Sequence, residues 1–354
     1  MQRRRWCGQG RVVSGEAIGS AGFSGLEAEP AIIPGLVWAF RIHSDGSSEP
    51  LDIDQPIDMR SMGLLWLHFN LADQRACQWL GANEFDIPPI AKTMILSRDE
   101  FQQLHTVEDC VYGVISDLVH SFDAPTEQIA YLRFAMTENL LISGRHQALS
   151  SVDATRRILE SGVKVSTAAA LLETIVDHVA DSMQRIAYKL GSDLDTIEEK
   201  ILSDTGDDRR KELGRVRRTC LRLHRQLWGL RQIFHRLDEE DAERLKPAVR
   251  LHAAKLAQRL DELDHEIMEM RERSRLLQEE LQLQIEEQSN KSLHLLSVLT
   301  SLLLPPTLIT GIFGMNTKGL PLTEDENGFL IAMVLLIASA ALAYFVMKRL
   351  RIMR

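Results

Sequence analysis

The chain has 354 residues, with 50 Asp and Glu against 41 Lys and Arg and a net charge of −9. That length suits two or three domains, and the acidic balance gives no reason to expect a nucleic-acid partner. Cys7, Cys77, Cys110 and Cys220 form no CxxC pair and no Cys/His cluster. This argues against a structural zinc site or a disulfide framework and fits a reducing compartment.

The N-terminus, MQRRRWCGQG, is basic, but the Gly/Ser-rich residues after it contain no apolar core. It therefore reads as a disordered tail over 1–30, or an over-long start, rather than a signal peptide. Short apolar runs follow at 36–40, 64–69, 111–119 and 130–144, with a helical stretch at 87–97. This mixture predicts an α/β domain over 31–165. It holds no Gly-rich phosphate loop and no GxSxG, and His68, His105, His120 and His146 have no partner at metal-ligand spacing. The domain reads as packed and non-catalytic, its histidines as core or surface groups, and the chain is not expected to be an enzyme.

Residues 166–291 are helical and highly charged, a stalk. Two helices are predicted at 167–203 and 208–237, broken at SDTGDD. A third is predicted from about 242 to 313, because Pro247 is tolerated in a first turn. Leu260, Leu263, Ile267, Met270, Leu277 and Leu281 form its seam, which Ser274 interrupts. The acids Asp238, Glu239, Glu240 and Asp241 read as a solvated helix start rather than a regulatory metal site. For Asp99-Glu100 the metal reading is also open, and no tightly held metal is expected.

Two apolar runs close the chain, SLHLLSVLTSLLLPPTLITGIF at 292–313 and GFLIAMVLLIASAALAYFVM at 328–347. At about 1.5 Å per residue each spans a hydrocarbon core of roughly 30 Å. The loop 314–327 carries one Lys and three acids, whereas the tail 348–354 holds Lys348, Arg349, Arg351 and Arg354. The positive-inside rule then places both termini in the cytosol of a bacterial inner-membrane protein.

A stripe runs along the third helix through Leu276, Glu279, Leu283, Glu286, Asn290, Leu293, Ser297, Thr300, Leu304, Thr307, Gly311 and Gly314, in steps of three or four. A span facing lipid on all sides has no use for hydroxyls in one line. The alternative, hydroxyls bonding back to the preceding turn or joining helices, stays open for each one. As a set they predict an axis-facing, partly wet surface, which requires several copies around an axis. Pro305 and Pro306 lack amide hydrogens, so a kink is expected, with carbonyls left free near 301–302.

Gly314-Met315-Asn316 stands at the outer end of the first span. With the charged helices and the α/β domain, it resembles the CorA family of divalent-cation transporters from about residue 31 onward. The resemblance implies a homopentamer, an α+β membrane protein whose first span lines the pore and whose second faces lipid. It places the family's selectivity filter on Gly314, Met315 and Asn316. The family's pore-facing Thr, apolar ring and inner Asn fall on Thr307, Leu304 and Asn290. GLP after GMN, and LRFAMTENLLISGRHQAL at 132–149, are similar to the ZntB branch. This implies proton-linked transport of Zn²⁺, with Mg²⁺, Co²⁺, Ni²⁺ and Cd²⁺ as other cargo and no cofactor. Lys318 departs from what a cation entrance favours, unless Glu324, Asp325 and Glu326 outweigh it. His294 could take a proton or zinc, though helix packing is its plainer role, and Met315 reads as packing rather than a soft ligand. A magnesium/cobalt channel and a membrane-anchored scaffold or sensor are the competing functions.

Overall fold

The computed structural model describes residues 33–59, 62–83, 85–120, 128–203, 208–240, 245–315 and 327–349. The predicted N-terminal tail lies outside them. The chain divides into two units: residues up to 120 with 130–175 and 241–251, and residues 121–129 and 176–240 with 252 onward.

In the first unit, β1 (Leu36–Ile42), β2 (Ser48–Leu51), β3 (Leu64–Asn70), β4 (Gln103–Val107), β5 (Cys110–Leu118), β6 (Ile129–Met136) and β7 (Leu140–Arg145) form one sheet. Its order is β2-β1-β3-β7-β6-β5-β4. β3 and β7 pair in parallel, while β1–β2, β1–β3, β4–β5 and β6–β7 are antiparallel. Side chains alternate between the faces. Leu65, Leu67, Phe69 and Ile142 face α1 (Gln74–Ala82) and α2 (Pro89–Leu96), meeting Ala76, Leu80, Ala91 and Ile95. Asp73 caps α1 by accepting from the Arg75 amide at 2.9 Å, and Pro89 opens α2 where a missing N–H costs nothing. Gly35 makes the turn into β1 at φ +71°, where a Cβ would stand 2.4 Å from that of Ala76.

The opposite face carries Trp38, Phe40, Trp66 and His68, with α3 (Ser150–Glu160) nearby through Arg156, whose guanidinium lies 5.6 Å from the Trp38 ring centre. His68 is wholly buried, stacked on Trp38 at 4.3 Å, with Nδ1 2.8 Å from the Ser143 hydroxyl. Burial and nearby Arg145 hold it well below the usual histidine range, so it is a neutral core residue. His105 stacks on Tyr112.

Asp117 on β5 is buried and accepts from the Ser151 amide at 3.0 Å and the Ser151 hydroxyl at 2.6 Å, fastening the start of α3 to the sheet. Burial pushes its carboxyl up to about 6, against the pull of those hydrogen bonds. A raised folded-state value means ionisation costs stability, fully above about 6 and not at all below the unfolded value. Stability should therefore rise by about 2–3 kcal/mol as pH falls from 7 to 4 through this group alone. Urea unfolding in detergent at both pH values, compared with the non-titrating Asp117→Asn, measures it; equal pH responses would show that Asp117 is not the source.

The second unit holds α4 (Ala168–Leu202) from Val176 onward, α5 (Arg209–Glu240), α6 (Ala253–Phe313) and α7 (Gly328–Arg349). The first two match their predicted ranges closely. The third begins eleven residues later than the predicted 242, at Ala253. Residues 245–251 instead belong to the first unit and contain a turn. The Lys246 carbonyl accepts from the Val249 and Arg250 amides, and the Ala248 carbonyl accepts from Ala169 at 3.1 Å. Pro247 thus sits in a turn, not in a helical first turn. Asp238, Glu239 and Glu240 do not start a helix but end α5, because Leu237 extends its buried stripe; Asp241 lies outside the described residues.

The predicted seam is buried at Leu260, Leu263, Ile267, Leu277 and Leu281, with Ser274 inside it and Met270 half-buried. Ion pairs flank it. Arg259 meets Asp177 and Asp181, and Arg273 meets Asp195 at 2.7 Å, tying α6 to α4. On the α5 side, buried Asp264 holds His224 and Arg231, each at 2.6 Å. Asp264→Ala is expected to cost about 2 kcal/mol, since Arg231 keeps Asp261 as a partner. That is a fall of several degrees in the unfolding midpoint, read by thermal melting in detergent.

Candidate functional site

α6 continues without interruption through Pro305 and Pro306 to Phe313. The carbonyls of Ser301 and Leu302 have no amide donor four residues on, as the two prolines require. Both α6, in its apolar stretch, and α7 are long and apolar enough to cross a membrane.

The contact between the spans fixes which way α6 faces. Val298, Leu302, Pro305, Pro306, Ile309 and Phe313 are its half-buried positions, and α7 is the element packed there. α7 answers with Ala332, Leu336, Ser339, Ala340, Ala343 and buried Met347, mostly small side chains that let helices approach. Leu293, Ser297, Thr300, Leu304, Thr307 and Gly311 lie on the other side, about 180° round at 100° per residue, and all are exposed. Asn290 is exposed on the same side, below them.

The hydroxyls have defined partners. Thr300 donates to the Leu296 carbonyl at 2.8 Å, and Thr307 to that of Leu303 at 2.7 Å. The back-bonding reading is thus realised for both. It uses the one hydroxyl hydrogen and leaves the oxygen's lone pairs to accept from an outside donor. Leu303, Leu308 and Ile312 join Thr300, Leu304, Thr307, Gly311 and Met315 in an open groove of about 770 Å³. The three additions were not read in the sequence, where an apolar residue beside an apolar stripe carries no separate signal.

Gly311 is open: a Cβ there would meet nothing within 4 Å. Gly314 caps α6 at φ −83°, its amide donating to the Thr310 carbonyl at 2.9 Å, so its backbone does not require a glycine. The space is tight, since a Cβ would stand 3.1 Å from the Thr310 carbonyl. Met315 is exposed rather than packed within its own chain, at 53 %. His294 is exposed and lies about 80° to the side of the line from Leu293 to Ser297. Asn316, Lys318, Glu324, Asp325 and Glu326 lie outside the described residues. Among the described residues, no group of three or more His, Cys, Asp or Glu is placed to hold a metal ion. At Asp99 it is the backbone that is used, its carbonyl accepting from Arg133 at 2.7 Å.

A sheet unit followed by long charged helices and two apolar C-terminal helices defines a class of membrane protein. Residues 61–349 match the family described as CorA-like Mg²⁺ transporter protein, and the chain belongs to that family. It is 22 % identical to zinc transport protein ZntB of Yersinia pseudotuberculosis serotype O:1b (strain IP 31758), over 92 % of this chain and 98 % of that one. It is 25 % identical to divalent cation transporter CmaX of Pseudomonas aeruginosa, over 90 % and 96 %. The solved full-length CmaX structure superposes with a TM-score of 0.75 at 24 % identity, covering 91 % of this chain and all of that one.

Proposed function

We propose that the chain is a divalent-cation transporter, with zinc its principal cargo, in which five copies surround an axis in a bacterial inner membrane. Asn290, Leu293, Ser297, Thr300, Leu304, Thr307 and Gly311 line the path, and Gly314-Met315-Asn316 forms the filter at its outer end. One observation carries this reading: α7 takes one face of α6 and the hydroxyl stripe takes the opposite face. Lipid next to α7 therefore need not touch the stripe. The named relatives favour zinc and divalent cations as cargo.

Five Asn316 amides would offer a ring of neutral oxygens that accept from the water shell of a hydrated cation without trapping it. Glu324, Asp325 and Glu326 concentrate cations at the mouth against Lys318. The basic tail sets both termini in the cytosol. A divalent ion entering at −100 mV gains about 4.6 kcal/mol, so uptake needs no ATP. We favour proton-linked uptake.

Proteoliposomes loaded with a zinc dye, with and without an inward proton gradient, test this against magnesium controls. Zinc entry that the gradient enhances supports the reading. Magnesium flux with zinc silent would move the chain to a magnesium/cobalt channel.

A further inference from the structure

One face of the sheet in the first unit carries polar groups that the proposed transport path does not use. β1, β3 and β7 bring Trp38, His68 and Ser143 side by side in register, and Arg145 follows two residues along β7 on the same face. Ser143 and Arg145 come from the segment LRFAMTENLLISGRHQAL at 132–149. The Trp38 and His68 rings stack at 4.3 Å with 19° between their planes. The guanidiniums of Arg145 and Arg156 lie 5.7 and 5.6 Å from the Trp38 ring centre. Trp38 Nε1 and His68 Nε2 are buried, and neither has a hydrogen-bond partner among the described residues.

Both nitrogens are donors. An indole nitrogen can do nothing else. At His68 the proton's place follows from Ser143, whose hydroxyl oxygen accepts from Trp66 Nε1 at 2.9 Å and stands 2.8 Å from His68 Nδ1. The Leu67 carbonyl, at 3.4 Å, is too far to compete for the hydroxyl hydrogen. That hydrogen therefore goes to Nδ1, and the neutral imidazole carries its own on Nε2. The charges are one-sided too. Asp153 on α3 meets Arg156 at 3.1 Å and Arg157 at 2.6 Å, and Arg156 also meets Glu160 at 2.7 Å. Half-buried Arg145 has no carboxylate within ion-pair distance among the described residues, and Asp153 attracts it only from farther off.

Buried donors left without acceptors are costly, and here two of them share one ring stack beside an uncompensated guanidinium. A water molecule answers this poorly. It could accept from both nitrogens, but its own hydrogens would then face further N–H groups. An anion only accepts, and it also balances the charge of Arg145. A planar guanidinium pairs with an oxyanion through two parallel hydrogen bonds, which a halide cannot match. We infer that this face holds inorganic phosphate, which accepts from Trp38 Nε1, His68 Nε2 and the Arg145 guanidinium, with Arg156 adding positive charge. Because the two ring nitrogens are buried, the small free ion suits them and a bulky phosphate ester does not. All these residues belong to the first unit, so the site does not rest on the proposed path or cargo.

The full chain in detergent and phosphate-free buffer is titrated with inorganic phosphate by calorimetry, and its melting midpoint is followed in parallel. Saturable binding with a raised midpoint is expected. Chloride at equal ionic strength and adenosine monophosphate should not reproduce it. Arg145→Met keeps an apolar stem over Trp38, and Trp38→Phe keeps a ring against His68; each should weaken phosphate binding at least about tenfold. Arg145→Lys, which keeps the charge, should recover part of the loss. Lys164→Met, which removes an exposed cation of the same unit, should change nothing. Melting of each variant without phosphate checks that it folds. Absence of saturable binding by the parent chain overturns the site, whatever the variants do. An equal effect of chloride overturns the oxyanion, and equal binding of adenosine monophosphate overturns the free ion. Undiminished binding in both Arg145→Met and Trp38→Phe overturns the assignment to these residues.

Discussion

Asn316→Ala is expected to lower zinc flux into proteoliposomes about a hundredfold, with the mass of the assembly and its melting midpoint unchanged. A hydrated divalent ion at the outer mouth gives up bulk water and keeps its inner shell, whose water hydrogens need acceptors. A ring of amide oxygens supplies them, and a ring of methyl groups does not. Losing two or three net hydrogen bonds at about 1 kcal/mol each raises the entry barrier by about 3 kcal/mol, or two powers of ten in rate. The amide is neutral, so its loss leaves the field at the mouth to Glu324, Asp325, Glu326 and Lys318. Binding from afar should change little while permeation fails. Met315→Leu keeps the volume and apolar character of an exposed side chain and should stay within about threefold of the parent. Unchanged flux in Asn316→Ala would favour the membrane-anchored scaffold or sensor, for which the amide has no role.

Much of this arrangement is legible in the sequence because it rests on local patterns. LLWLHF became β3, as its buried apolar run indicates, and IPPIAKTMILS became α2 beginning at Pro89. The break between α4 and α5 is marked by SDTGDD. The run 130–144 is less transparent: it divides into β6 and β7 because the Thr137 amide donates to the Leu140 carbonyl and closes a hairpin within it. α1 and α3 are less legible, the first because it is only nine residues long and the second because its start depends on a distant partner. Asp73 caps α1 locally, whereas α3 is fastened by Asp117, 34 residues away on β5. The late start of α6 has a similar cause, since the residues around Pro247 are held by Ala169 and, through Lys246, by Asp109 at 2.9 Å. In the candidate site the spacing of Ser297, Thr300, Leu304 and Thr307 was visible. What lay behind them was not: the packing of α7 against the opposite face is a long-range fact, set by small residues forty positions downstream.

That packing makes Gly311 the sharpest test of which way the stripe points. In its own chain Gly311 is exposed, and a Cβ would meet nothing within 4 Å, so no intrachain contact explains a glycine there. Glycine within a helix costs about 0.5–1 kcal/mol relative to alanine. Gly311→Leu should accordingly leave the melting midpoint of the isolated chain unchanged or slightly raised. If the stripe faces an axis, each copy adds an isobutyl group at one height, and together they close a path that Thr307 and Leu304 leave open. Flux should fall at least about tenfold, the scale of a few kcal/mol of steric barrier. Leu330→Ile on the exposed face of α7 should be silent by comparison, since lipid accommodates either side chain. Were Gly311→Leu to conduct normally, the stripe would be facing lipid. The hydrogen bonds from Thr300 to Leu296 and from Thr307 to Leu303 would then be the whole role of those hydroxyls. Loss of flux without loss of stability points instead to the axis, because a Cβ at 311 meets nothing within 4 Å and an unchanged melting midpoint shows that the fold of the chain is intact.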